Sequence, residues 1–226
     1  MSDKSRTVIV VAGGKGERMQ SSVPKQFLSI HKQPVLMHTL RCFYTFDSTL
    51  KLIVVLPEAQ VQRWANLCLD LNFEVPHSIV FGGSNRFESV KNGLAVATDS
   101  GLIGIHDGVR PLVSAETIGA CFQKAAETGA AIPVTDAVES LRRLTPEGSV
   151  SVDRTQYKIV QTPQVFEAEL LKNAYWQEFS PLFTDDASVV EACGHPVSLV
   201  QGNSENIKIT TPGDLIFART LLKKQI

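Results

Sequence analysis

Val8-Ile9-Val10-Val11-Ala12-Gly13-Gly14-Lys15-Gly16-Glu17-Arg18-Met19 is a β-branched apolar run that opens into glycines. A buried strand ending in such a turn marks the carboxyl edge of an α/β sheet, where these folds place their ligands. Glycines there let several backbone N–H groups approach one phosphate closely. Two familiar motifs fail. The run lacks the final glycine of Gly-x-Gly-x-x-Gly, and Lys15 falls between glycines rather than in the Gly-Lys-Ser/Thr ending of a P-loop. What remains is a glycine cradle followed by Arg18 and Lys25, two cations able to reach the same phosphates. A solvated glycine turn would explain the glycines but not Pro24, which stiffens the chain just ahead of Lys25.

Outward from this run, short β-branched stretches alternate with amphipathic helical patterns, the signature of an α/β fold. Strands are expected at Thr7–Ala12, Leu52–Leu56, Ser78–Phe81, Leu102–His106, Ala130–Val134 and Val197–Gln201. Between them, Pro34 opens a helix with Leu36, Leu40 and Phe43 on one face, and Val61, Trp64, Ala65 and Cys68 form a second stripe. Phe87, Val90 and Leu94 form a third, Ser114 is a candidate N-cap, and Thr211-Pro212-Gly213-Asp214 reads as a helix start. The expectation is a Rossmann-like, mostly parallel sheet with helices on both faces, forming one domain over residues 1–226. The segment of roughly 137–161 breaks the alternation. A turn at Thr145-Pro146-Glu147-Gly148 separates two strand-like runs, Val138–Leu144 and Ser149–Val152. Arg142, Arg143, Asp153 and Arg154 exclude a buried strand there, which leaves a β-hairpin arm lying on a partner subunit or standing in solvent.

A chain of 226 residues, 43% of them hydrophobic, can bury a sizeable core. Its net charge of -1 excludes the broad basic surface that nucleic acid requires, so any phosphate binding must come from local clusters. Cys42, Cys68, Cys121 and Cys193 show no metal-ligand spacing and read as buried free thiols in a reducing compartment. No apolar run approaches the roughly 20 residues of a membrane span. The polar segment from Met1 to Thr7 runs straight into a strand rather than a signal-peptide core, so a cytoplasmic location is expected.

Six motifs in register carry a family resemblance. Ala12-Gly-Gly-x-Gly-x-Arg-Met with Pro24-Lys25-Gln26-Phe27-Leu28 resembles the signature of nucleotidyltransferases that load sugars and polyols onto nucleotides. Gly82-Gly83-Ser84-Asn85-Arg86-Phe87-Glu88-Ser89-Val90, His106-Asp107-Gly108-Val109-Arg110-Pro111, Thr162-Pro163-Gln164, Thr184-Asp185-Asp186-Ala187-Ser188 and Asn206-Ile207-Lys208-Ile209-Thr210 resemble the motifs of the 2-C-methyl-D-erythritol 4-phosphate cytidylyltransferases. They span nearly the whole chain. The resemblance implies a fold of the nucleotide-diphosphosugar transferase type with a dimerisation arm. It also implies transfer of CMP from CTP to the polyol phosphate, with release of pyrophosphate, in the non-mevalonate route to isoprenoids. An acceptor phosphate whose second pKa is near 6 is mostly a dianion at neutral pH and needs no general base.

By the resemblance, Arg18 and Lys25 stabilise charge on the triphosphate, and Ala12, Gly13, Gly14, Gly83 and Ser89 contact the nucleotide. Asp107 ligates Mg²⁺, directly or through water, or holds the acceptor's hydroxyls. Arg110 and Thr184 contact the acceptor, Thr184 doubling as a helix N-cap. Lys208 and Arg154 orient the acceptor phosphate, with Arg154 crossing from the other subunit of a homodimer. His106 reads as a core-facing strand end. One departure stands out. Where the family has Asp-Thr-x-Lys, this chain has Asp136-Ala137-Val138-Glu139, which puts an acceptor contact at position 137 in doubt. The rival reading is ribitol-5-phosphate cytidylyltransferase, against which Val152-Asp153-Arg154 and Thr184–Ser188 argue. A non-catalytic nucleotide sensor would be expected to lose Arg18, Lys25 or Lys208, and all three are present.

Overall fold

The computed structural model describes residues 5–14, 23–98 and 100–222, so Arg18 lies outside the described residues. In β1 (Arg6–Val11), Val8 and Val10 belong to one core cluster and Ile9 to another. That is the reason for the unbroken apolar run: side chains alternate between faces, and both faces are covered. A small hairpin of β2 (Ser29–Ile30) and β3 (Gln33–Pro34) leads into α1 (Val35–Phe46). β4 (Lys51–Leu56), α2 (Glu58–Asp70), β5 (Ser78–Phe81), α3 (Arg86–Val96), β6 (Leu102–Asp107), α4 (Ala115–Thr128) and β7 (Ala130–Asp136) then alternate. Pro34 caps α1 rather than opening its first turn. Ser114 caps α4 as expected, its side chain accepting from Thr117 N, and Gly129 at φ 85 turns the chain from α4 into β7.

The arm is β8 (Leu141–Thr145) and β9 (Gly148–Val152), an antiparallel pair joined to no other strand among the described residues. Its first strand begins three residues later than the sequence pattern suggests, at Leu141 rather than Val138. β10 (Lys158–Val160) and β11 (Gln164–Glu167) follow, then α5 (Ala168–Ala174), α6 (Asp186–Ala192), β12 (Ser198–Gln201) and α7 (Pro212–Leu222).

The main sheet has eight strands. β6, β1, β4 and β5 run parallel side by side, and β12 pairs parallel with β7. β11 is inserted antiparallel between β6 and β7, and β10 continues antiparallel along β7. Neither strand was expected, and Lys158–Val160 belongs to this sheet rather than to the arm. Val160 faces Val134 while Val165 faces Ala131, so five steps along one strand match three along the other. The surplus residues at Gln161-Thr162-Pro163 bulge toward the end of β6. One core cluster joins α1, α2 and α4 to the sheet, and the other joins α3, α5 and α6. Cys121 is buried, Cys42 and Cys68 are half-buried, and Cys193 is exposed. The last corrects the expectation of four buried thiols, because it caps the end of a seven-residue helix at the surface.

Candidate functional site

Chain direction reverses its lateral progress at β1, which has β4 on one side and β6 on the other, and the crevice at such a point is where α/β sheets bind ligands. A cleft of about 350 Å³ opens there, lined by Ala12, Gly13, Gly14 and Lys25 after β1, by Gly83 and Ser89 at the start of α3, and by Asp107 and Lys208. Eight of the expected site residues thus share one cavity. Ala12 is fixed by its N–H donating to Val55 O at 2.9 Å. A Cβ placed on Gly14 would touch Lys25 Cε at 3.4 Å, so the lysine stem lies along the glycine turn.

The other wall is the loop into α3. Asn85 caps the helix by accepting from Glu88 N at 2.9 Å, and Glu88 reaches back to accept from Ser84 N at 2.8 Å. Ser89 Oγ accepts from Gly83 N at 3.1 Å and donates to Asn85 O at 2.7 Å. Gly83 has no room for a side chain, since a Cβ would lie 2.3 Å from Glu88 Cβ.

Among the described residues Asp107 is the one carboxylate lining the cleft. Its Oδ2 accepts from Arg110 Nε at 3.0 Å and lies 3.1 Å from Lys208 Nζ. Burial opposes its ionisation, but the charges of Lys208, Arg86 and Arg110 more than offset it and hold the carboxyl well below the usual range. The turn carrying it is locked from beneath. Asp107 N donates to Thr162 Oγ1 at 3.1 Å, and Thr162 Oγ1 lies 2.9 Å from His106 Nδ1. His106 Nε2 sits 3.1 Å from Arg110 O. A carbonyl can only accept, so Nε2 carries the proton, Nδ1 accepts, and the hydroxyl of Thr162 donates. Burial lowers the His106 pKa to about 4, which keeps this ring neutral. Arg110 Nη1 also donates to Asn206 O at 2.7 Å, and Asn206 Nδ2 donates to Thr162 O at 2.8 Å. Arg110 therefore sits behind Asp107 and acts on the cleft through it.

Thr184 and Arg154 do not line this cleft. Thr184 is exposed, and the N-cap of α6 is Asp185, not Thr184. Asp185 forms a reciprocal box with Ser188 that a threonine hydroxyl one residue earlier cannot close. Arg154 is exposed on a short turn after β9, where its Nη1 donates to Val138 O. Ala137 is buried, so the departure there leaves a methyl group packed inside its own chain.

Among the described residues Lys25, Lys208 and Arg86, the last tied to Asp186, line the cleft with Asp107, an arrangement suited to a polyanion. Among the described residues no three His, Cys, Asp or Glu side chains converge to enclose a metal. Asp107 fits Mg²⁺ only as one ligand among waters and phosphate oxygens, which is how Mg²⁺ is usually held.

The sequence profile of the 2-C-methyl-D-erythritol 4-phosphate cytidylyltransferase family matches residues 6–224. The chain belongs to that family. It is 58% identical over 217 residues to the 2-C-methyl-D-erythritol 4-phosphate cytidylyltransferase of Bacteroides thetaiotaomicron, covering 96% of this chain and 99% of that one. With the protein of the same name from Porphyromonas gingivalis it shares 49% identity over 221 residues, 97% of this chain and 99% of the other. The crystal structure of 4-diphosphocytidyl-2C-methyl-D-erythritol synthase from Anaerococcus prevotii superposes with a TM-score of 0.82 at 26% identity, covering 97% of this chain and 99% of that chain. As a member of this family of cytidylyltransferases the chain is a nucleotidyltransferase.

Two side chains, one lining the cleft and one buried outside its lining, gained no role from the sequence. Arg86 lines it and forms a bidentate pair with Asp186. Gln164, with no exposed surface, donates to Asp185 Oδ2 and accepts from Ala187 N, both at 2.8 Å. Both residues lie inside the quoted motifs, which was the available signal. Their partners are too far away in sequence to be read from spacing.

Proposed function

We propose that this cytidylyltransferase transfers CMP from CTP to 2-C-methyl-D-erythritol 4-phosphate, giving 4-diphosphocytidyl-2-C-methyl-D-erythritol and pyrophosphate. The observation that carries this reading is the cleft itself, where a glycine cradle with Lys25 meets the Asp107, Arg110 and Lys208 cluster at the carboxyl ends of β1 and β6. Ala12, Gly13, Gly14, Gly83 and Ser89 hold the nucleotide, chiefly through backbone groups. A phosphate oxygen of the acceptor attacks the α-phosphorus in line, the bond from that phosphorus to the bridging oxygen breaks, and pyrophosphate leaves with the electron pair. The acceptor dianion is already the nucleophile, so the work is positioning and charge stabilisation. Lys25 and Arg18 serve the triphosphate; Asp107, held in place by Arg110, and Thr184, two residues before the Asp186 that Arg86 holds, serve the acceptor. Asp107 would be the protein ligand of a divalent cation such as Mg²⁺, which would supply charge neutralisation for the leaving group.

Lys208 orients the acceptor phosphate together with Arg154, which in this reading reaches the site from a second copy of the chain. Two facts support a homodimer built on the arm. Arg154 does not line the cleft of its own chain, and the arm with its flanks exposes Val138, Leu144, Val150 and Tyr157. Among the described residues no helix is long and apolar enough to cross a membrane, and we place the enzyme in the cytoplasm. Purified protein given CTP, Mg²⁺ and a panel of polyol phosphates should release pyrophosphate fastest with methylerythritol phosphate. Faster turnover with ribitol 5-phosphate overturns the substrate assignment.

A further inference from the structure

The nucleotide wall of the cleft and the segment that carries Thr184 are held in different ways. The nucleotide wall at the start of α3 is closed by its own short-range bonds among Gly83, Ser84, Asn85, Glu88 and Ser89. Residues 175–185, which carry Thr184 and lead to the cap of α6 without lining the cleft themselves, contain no helix or strand. Gln164 clamps their end at Asp185. The second clamp is Arg86, which donates to Asp186 from Nη1 at 2.8 Å and from Nη2 at 2.6 Å across 100 residues of sequence. Asp186 has no exposed surface, and Tyr175 Oη donates to it at 2.6 Å. Burial opposes the guanidinium charge, but the Asp186 carboxylate more than offsets this and raises the Arg86 pKa above its ordinary value. The next residue on α3, Phe87, stacks on Tyr175 at 4.6 Å and on Phe183 at 5.7 Å. The first turn of α3 is thus the anvil for both ends of the irregular segment.

We propose that Arg86, through its bidentate pair with Asp186, is a positioning residue that holds the segment carrying Thr184, assigned above to the acceptor, against the nucleotide wall of the cleft. The proposal rests on the reaction assigned above. Planar fork geometry is the reason for arginine: a lysine carries the charge but cannot make two parallel bonds to one carboxylate. Losing the pair loosens the segment that has no regular structure and leaves the self-capped nucleotide loop in place. Substrate effects should therefore split.

Asp186→Asn and Arg86→Lys should each raise the acceptor KM about tenfold or more while the CTP dissociation constant, measured by calorimetry, stays within about twofold. Amide hydrogen exchange should quicken in residues 175–185 and not in 82–89. Equal rises for both substrates, an effect on CTP alone, or an unchanged acceptor KM in a folded variant overturns the proposal. If neither variant folds, Tyr175→Phe decides. It removes one hydroxyl and should show the same split at about threefold, and no split there overturns the proposal equally. Should the wild-type enzyme fail to use the acceptor, the reaction assignment falls, and the exchange pattern alone still decides the role of Arg86.

Discussion

Asp107 stays ionised beneath the surface because two cations, Arg110 and Lys208, close on the same carboxylate oxygen. Asp107→Asn keeps the shape and removes the charge, leaving both cations without their counter-ion and without an anionic ligand for a metal. Turnover with saturating CTP should fall about a hundredfold or more, the usual cost of losing a preorganised electrostatic group; a loss below tenfold would show that Asp107 only shapes its turn. The neighbouring His106 makes a separate, pH-dependent contribution. Its folded pKa is about 4, below the roughly 6.5 of an exposed imidazole. Between those values the unfolded chain binds a proton that the folded chain does not, so stability rises with pH across the window. Acidification from 6.5 to 4 should cost about 3 kcal/mol through this ring. The depressed Asp107 pKa acts lower, its stabilisation draining only as pH falls below the ordinary carboxylate range. Urea denaturation at several pH values should show His106→Asn less stable at neutral pH but with a flatter slope between pH 4.5 and 6.5. An unchanged slope would remove His106 as its source.

At the scale of elements, the turn after β1 and the loop into α3 each give a glycine, with opposite expectations. Among the described residues a Cβ on Gly13 would meet only Ser89 Oγ, at 4.0 Å, whereas one on Gly83 would collide with Glu88 Cβ at 2.3 Å and press on Glu88 Oε2 at 2.9 Å. Gly83→Ala must push α3 away from its own cap. Overpacking of this kind costs about 1–3 kcal/mol, and because the displaced amides belong to the nucleotide wall, the CTP dissociation constant should rise about tenfold. Gly13→Ala has space for its methyl and should bind CTP more tightly than Gly83→Ala; the reverse order in calorimetry would refute the clash. The same elements show what a sequence can reveal. The strand and glycine turn at the end of β1 were legible because an apolar run and its breaker are local patterns. β10 and β11 were not, since each is three or four residues long and Pro163 between them argues against a strand. The cap of α6 was ambiguous for another reason. Thr184, Asp185 and Asp186 are all residue types that can cap, and only the three-dimensional box with Ser188 selects Asp185. Arg86 and Asp186 carried no mutual signal at all, being 100 positions apart.

For the whole molecule, alternation of strand and helix predicts a parallel sheet and therefore a site at its carboxyl edge, and the cleft lies there. What alternation cannot supply is the destination of a segment that leaves the sheet. Among the described residues the arm pairs only with itself, and Arg154 at its base does not line the cavity of its own chain. If a second copy provides the missing wall, each active site takes Lys25 from one chain and Arg154 from the other. Lys25→Ala and Arg154→Ala proteins should then each be nearly inactive alone, yet recover when their subunits are exchanged. Random pairing makes half of the dimers hybrid, and each hybrid has one site carrying both lesions and one carrying neither. About a quarter of all sites are therefore intact, given a closed two-fold dimer, and activity should climb toward about a quarter of the wild-type value. Gel filtration or light scattering must show a dimer before and after exchange. If mixing with proven exchange leaves activity at the level of the separate variants, both residues serve the site from the same chain, and the arm is not a shared wall.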